Sequence, residues 1–197
     1  ACYTVWLLWN AVSLVSLQAR LGGPFDVPRL FGHKTVSLLD LWSIHHLAAG
    51  CLVGWLINKL LAKVYRRPVP VVLLMIMGLI IISWEQVELR LEWATLGPVE
   101  YYWLDGTEHW SNRLLADPLL FLSGGLLASD RRRVAIAAAI FIAVWLAVNA
   151  NQPNCMTIQE NIFGRADKTQ RKPFQPSWLE AAFERMEKLE ELSPSAE

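Results

Sequence analysis

Three groups of polar side chains interrupt an otherwise apolar chain, and each carries residue types that can do chemistry. Asp40, His45 and His46 stand at the head of one apolar run, Glu85 and Glu88 close another, and Glu108, Asn112 and Asp117 lead into a third. Glu85 and Glu88 are three residues apart, so on a helix their carboxylates share one face. Glu108 and Asn112, if helical, share another. Carboxylates together with an imidazole can bind a divalent metal, relay protons or act as an acid–base pair. No HExxH, ExxH or paired Cys/His spacing is present, so spacing alone assigns no metal site.

The neighbouring histidines admit another reading. Ala49 and Gly50 lie four residues beyond His45 and His46, and their small size would leave room for a flat macrocycle beside either imidazole. A bis-histidine haem would need a facing histidine, and His33 and His109 fall in loops. A lone intramembrane histidine more often hydrogen-bonds a neighbouring helix. The acids also have a plain alternative as surface ion pairs, Glu85 with Arg90 and Glu108 with Arg113.

The elements that carry these groups are apolar helices. Hydrophobic residues make up 54% of the 197 and charged residues only 18%, below the quarter or so usual for soluble domains. The charges are segregated into loops and the C-terminal part, which is the pattern of a polytopic all-α transmembrane bundle. About five spanning segments are expected: Ala1 to about Leu17, Leu41 to Leu61, Pro70 through Trp84, Leu114 to Ser129, and Val134 to about Asn151. Residues 1–151 then form the membrane domain and 152–197 an extramembrane tail. Asp117-Pro118 reads as an N-cap with proline at the first helical position, so the fourth segment either kinks there or enters the membrane partway.

Direction follows from the basic residues. Lys63, Arg66 and Arg67 lie in one loop and Arg131, Arg132 and Arg133 in another, and five crossings put both loops on the same, cytoplasmic side. The N-terminus is then inside and the tail outside. All three polar groups fall at the outer boundary, together with Trp42, Trp84, Trp93, Trp103 and Trp110, which read as an interfacial belt. Ala1 opens onto an apolar run without a basic leader, so no cleavable signal peptide is expected. Net charge is zero and no basic stripe occurs, which argues against nucleic-acid binding. Cys2, Cys51 and Cys155 have no metal-type spacing and form no disulfide framework.

The order Asp40…His46-x3-Gly50, Trp84-Glu85-x2-Glu88, then Trp110-x-Asn112…Asp117…Gly124-Gly125 resembles the VanZ-like group of small bacterial membrane proteins. The resemblance covers roughly residues 38–128 and implies a bacterial inner (cytoplasmic) membrane. The tail has no counterpart in it. There, Ser177 and Glu180 form a capping box ahead of a helix near 177–192, with Leu179, Phe183, Met186, Leu189 and Leu192 on one stripe.

Two functions are consistent with this pattern. The preferred one is a non-catalytic integral subunit of a larger membrane complex, of the respiratory or photosynthetic kind. Its helices would pack on other integral subunits through Gly50, Gly54 and Ala135 to Ala139, and its tail would dock on a partner. The alternative is a small membrane-embedded enzyme or transporter. Its site would be the outer carboxylate–histidine cluster, led by His46, Glu85, Glu88 and Asp117, and its substrate a lipid or cell-envelope intermediate.

Overall fold

A computed structural model describes residues 2–21, 25–65, 69–92, 108–152 and 157–164. The expected tail helix near 177–192, together with Trp93 and Trp103, lies outside the described residues.

Helix α1 spans Cys2–Leu21, α2 Leu41–Val64 and α3 Pro70–Glu92. A helix then begins at Trp110, passes through a π-helical turn at Asn112–Ala116, and continues as α4, Asp117–Ala128. Helix α5 spans Arg132–Ala150 and the short α6 Thr157–Phe163. Among the described residues three helices, α2, α3 and α5, are long and apolar enough to cross a membrane.

Local sequence explains these bounds. Asp40 caps α2: its Oδ1 accepts from Ser43 N at 2.8 Å, and the Ser43 hydroxyl accepts from Asp40 N at 3.1 Å. Lys63 in the last turn suits the negative end of the helix dipole. Pro70 occupies the first turn of α3, where its missing N–H costs nothing.

The fourth segment differs from expectation. Asp117 does not start a helix, because the chain is already helical and Asp117 N donates back to Asn112 O in a π turn. Pro118 cannot donate to the carbonyl four residues earlier, and its ring crowds that turn. Widening the preceding turn relieves both problems without ending the helix. The run over 110–128 reaches about 28 Å at 1.5 Å per residue.

Glycine lets α2 and α4 touch backbone to backbone, and this is the most extensive helix contact in the molecule. A Cβ on Gly50 would lie 2.0 Å from Phe121 O, one on Gly54 2.3 Å from Gly125 Cα, and one on Gly124 2.2 Å from Leu47 O. Helix α5 packs on the same unit, with Ala138 against Ala48, Cys51 and Ala128. On the other side Leu73, Met77 and Ile81 of α3 meet Phe121. Helix α1 rests on α3, where Gln86 Nε2 donates to Asn10 O at 2.9 Å. Of the small residues expected to meet other subunits, Gly50, Gly54, Ala135 and Ala138 are therefore covered within the chain, whereas Ala137 stays exposed.

An all-helical fold was expected, but the segment ahead of α2 holds a short parallel pair, β1 (Arg29–Phe31) and β2 (Ser37–Leu39). Arg29 N donates to Val36 O and Gly32 N to Leu39 O, a register that the tight turn at 34–36 makes reachable. Periodicity over three residues is too short to signal such a pair. Helix α6 closes over it, Phe163 meeting Phe31 edge-on at 5.3 Å.

Candidate functional site

The end of the bundle where α2 begins and α3 ends holds a buried polar cluster fed by six chain segments. Helix α1 sends Gln18, the β1–β2 turn sends Lys34, and the start of α2 sends Asp40, Ser43 and His46. Helix α3 supplies Glu85, Glu88 and Glu92, the 108–117 segment Glu108, Asn112, Arg113 and Asp117, and α6 Gln159. Every one of them is less than a tenth exposed.

Helix α3 builds its share by period. Ile81, Glu85, Glu88 and Glu92 lie on one inward stripe, whereas Ile80, Trp84 and Val87 face outward. A shallow apolar groove of about 420 Å³, lined by Leu79, Ile80, Ser83, Trp84 and Val87, runs along that outer face. It shares no residue with the cluster. The π turn does the same for its segment, bringing Asn112, Arg113, Ala116 and Asp117 inward together.

Arg113 is the hub. Its Nη1 donates to Gln18 Oε1 at 3.0 Å and its Nη2 to Glu92 Oε2 at 2.7 Å; Nη2 also lies 3.0 Å from Glu108 Oε2 and Nε 3.5 Å from Glu85 Oε2. Lys34 Nζ meets the other oxygen of Glu92 at 2.6 Å. Glu92 therefore joins both buried cations. Burial works against the Lys34 ammonium, but Glu92, Glu108 and Glu88 outweigh it and hold its pKa above the ordinary level. Burial raises the Glu108 carboxyl well above its usual value; Arg113 opposes this, while Asp117, Glu88 and Glu92 add to it.

A second centre surrounds His46. Its Nε2 lies 3.2 Å from Asp117 Oδ2, and its Nδ1 lies 4.0 Å from Glu85 Oε1. Both carboxylate oxygens of Glu85 and both of Asp117 are buried without a hydrogen bond among the described residues. Glu85 reaches ion-pair range of Arg113 and Asp117 that of His46, yet neither contact has hydrogen-bond geometry. Ligand atoms of His46, Glu85 and Glu88 all lie within 4.8 Å of one another, as do those of Glu85, Glu108 and Asp117, and those of Glu88, Glu92 and Glu108.

Charge is the second abnormality. Among the described residues six buried carboxylates (Asp40, Glu85, Glu88, Glu92, Glu108 and Asp117) face two buried cations, Lys34 and Arg113. Full ionisation would leave four negative charges in excess, and each uncompensated buried ion costs several kcal/mol. Such a cluster needs protons or cations to balance it. A His–Asp pair beside a bare carboxylate can move a proton, and carboxylates flanking an imidazole can hold a metal ion.

The structure brings together the sequence candidates Asp40, His46, Glu85, Glu88, Glu108, Asn112 and Asp117. His45 is the exception: it turns away and meets Trp42 at 5.4 Å. The space beside Gly50, read as room for a macrocycle, is filled by the Phe121 backbone. The surface pairings also need correcting. Glu108 does meet Arg113, but in the interior, and the basic partner of Glu85 at 3.5 Å is Arg113.

Lys34, Glu92, Arg113, Gln18 and Gln159 belong to the cluster, and sequence reasoning did not place them there. Lys34 carries no sequence signal of its own and Arg113 reads as a surface partner of Glu108; burial distinguishes both. Gln159 lies in the segment read as tail and donates to Asp40 Oδ2 at 3.3 Å. No family model, curated protein or solved structure matches this chain.

Proposed function

We propose that this chain is a small membrane-embedded enzyme or transporter acting on a lipid or cell-envelope intermediate, with the His46–Glu85–Asp117 centre as its working site. The observation that carries this reading is convergence: side chains from six segments meet in the interior, and among the described residues the oxygens of Glu85 and Asp117 make no well-formed hydrogen bond. Stability alone favours apolar packing over such an arrangement. His46 has Asp117 3.2 Å from its Nε2, within reach of a carboxylate that could orient it as a base, and Glu85 stands 4.0 Å from its Nδ1.

The competing subunit reading needs external neighbours for the Gly50–Gly54 and Ala135–Ala139 faces. Gly50 and Gly54 are occupied by the chain's own α4, and Ala135 and Ala138 are buried, which weakens it, while Ala137 stays exposed. In the proposed topology the chain crosses five times, through α1, α2, α3, the 110–128 helix and α5. The α2–α3 connection, which follows Lys63, and the α4–α5 connection, which holds Arg131, face the cytoplasm, and the cluster lies at the outer leaflet. The VanZ-like pattern supports a bacterial inner membrane.

The test is reconstitution into vesicles of host lipid, with the lipid and lipid-linked pool followed by mass spectrometry. The parent is expected to convert or redistribute at least one species, and Glu85→Gln and His46→Gln are expected to slow this about a hundredfold or more, the low end of a general acid–base contribution of about 10²–10⁴. An unchanged pool, together with co-migration of stoichiometric partner proteins in mild detergent, would return the chain to the subunit reading.

A further inference from the structure

We infer that His46, Glu85 and Glu88 bind one divalent first-row transition-metal ion, with Asp117 orienting the imidazole from behind. The inference deepens the proposed function and rests on the same cluster, but metal binding is measured separately from turnover.

The argument starts from the two nitrogens of His46. Nδ1 faces Glu85 Oε1 across 4.0 Å, too far for a hydrogen bond. Metal–nitrogen and metal–oxygen bonds are each about 2.0–2.2 Å, so two ligands on opposite sides of one ion sit up to about 4.2 Å apart. An ion fits that gap with little movement of either side chain. Nε2 lies 3.2 Å from Asp117 Oδ2, within reach of it though not in hydrogen-bond geometry. A metal-ligating histidine commonly gives its other N–H to a carboxylate, which fixes the tautomer and strengthens the ligand. Asp117 stands where that carboxylate belongs.

Glu85 supplies the independent observation. It is fully buried, and neither of its oxygens has a hydrogen-bond partner among the described residues. A carboxylate in that condition lacks the groups that would normally satisfy it. Glu88, one helical turn further on the same inward stripe, brings its ligand atom within 4.8 Å of the other two. The set Glu88, Glu92 and Glu108 is the poorer candidate, because Lys34 and Arg113 already engage Glu92 and Glu108. An imidazole with carboxylates favours Mn²⁺, Fe²⁺ or Zn²⁺ over an all-oxygen ion such as Ca²⁺. A divalent ion also removes half of the cluster's formal charge excess.

The experiment uses the full chain purified in mild detergent, stripped with chelator and titrated with Mn²⁺, free Mn²⁺ being read by electron paramagnetic resonance. The parent is expected to take up one equivalent, displaced by Zn²⁺. Glu85→Gln is expected to weaken binding at least tenfold, and Asp117→Asn by about 10–100-fold through its supporting role. Asp130→Asn, an acid at the far end of α4, is expected to bind like the parent. If Glu85→Gln does not fold, Glu88→Gln reads the same ligand set. A parent without saturable uptake, or ligand variants that bind like the parent, would overturn the inference. Uptake of one equivalent without lipid turnover would leave the metal site standing and sink the proposed function. Turnover that is unaffected by chelation, in a parent that takes up no Mn²⁺, would do the reverse.

Discussion

At the residue scale, Arg113 decides whether this end of the bundle can exist. It is fully buried and reaches Gln18, Glu92, Glu108 and Glu85 at once. Removing one partner of a buried charge pair typically costs about 3–5 kcal/mol, because the other charge is left uncompensated. Arg113→Met is expected to lose that much in a reversible unfolding titration in detergent micelles. Arg113→Lys is expected to recover little, since one ammonium cannot reproduce a planar fork directed at separate carboxylates. A loss below about 1 kcal/mol would match an exposed pair instead. Asp40 gives a pH dependence. Burial, against the hydrogen bonds from Ser43 and Gln159, raises its carboxyl pKa. The folded state then holds the proton more tightly than the unfolded chain. The resulting stability is full below the unfolded value of about 3.9 and is lost as pH rises through the raised folded value. Asp40→Asn keeps an N-cap oxygen, and Gln159 can turn its unpartnered Oε1 to meet the new amide. The variant's melting temperature should therefore gain on the parent's as pH rises above about 4, and a difference flat from pH 4 to 7 would contradict the assignment.

At the element scale, the α2–α4 contact reverses an ordinary rule. Alanine in place of an interior helical glycine usually stabilises by up to about 1 kcal/mol. At Gly50 the new Cβ would meet the Phe121 carbonyl at 2.0 Å, and backbone cannot swing aside as a side-chain end can. Gly50→Ala is expected to destabilise by about 1–3 kcal/mol and to disturb the His46–Asp117 distance, since those residues ride on the two helices forced apart. A stabilised variant would mean that the helices are not in backbone contact. Helix α6 offers a matching test on the other side of the cluster. Gln159→Ala removes the donor to Asp40 Oδ2, and a cost of about 0.5–3 kcal/mol, the range for hydrogen bonds up to those made by a charged group, is expected in the same titration.

At the scale of the whole molecule, three membrane-length helices carry a polar interior at one end. The glycine face of α2 is used up inside, while large apolar side chains on α1 and α5, among them Trp9, Ile140 and Val144, stay exposed as lipid would require. The particle in mild detergent is therefore expected to run as a monomer or homodimer, with mass measured by light scattering after subtracting detergent. Stoichiometric foreign partners would favour the subunit reading.

Much of this was legible in the residues taken alone. Segregated charge and uninterrupted apolar runs reveal membrane helices, because an ion in hydrocarbon is costly wherever the fold puts it. The meeting of Asp40, His46, Glu85, Glu88, Glu108, Asn112 and Asp117 at one end of the bundle follows from the same runs, since consecutive helices bring alternate ends to one depth. Other features depended on side-chain burial and on contacts far apart in the chain. Lys34 carries no sequence signal of its own and Arg113 looks like a surface partner of Glu108 until burial distinguishes them, and Glu92 looks like the start of a polar loop until both cations reach it. The π turn exists because Pro118 falls within a helix that tertiary contacts keep unbroken. His45 and His46 are adjacent and chemically identical. Helical rotation of about 100° per residue sends one to Trp42 and the other to Asp117, and which face is inward was settled only when α4 packed against Gly50 and Gly54.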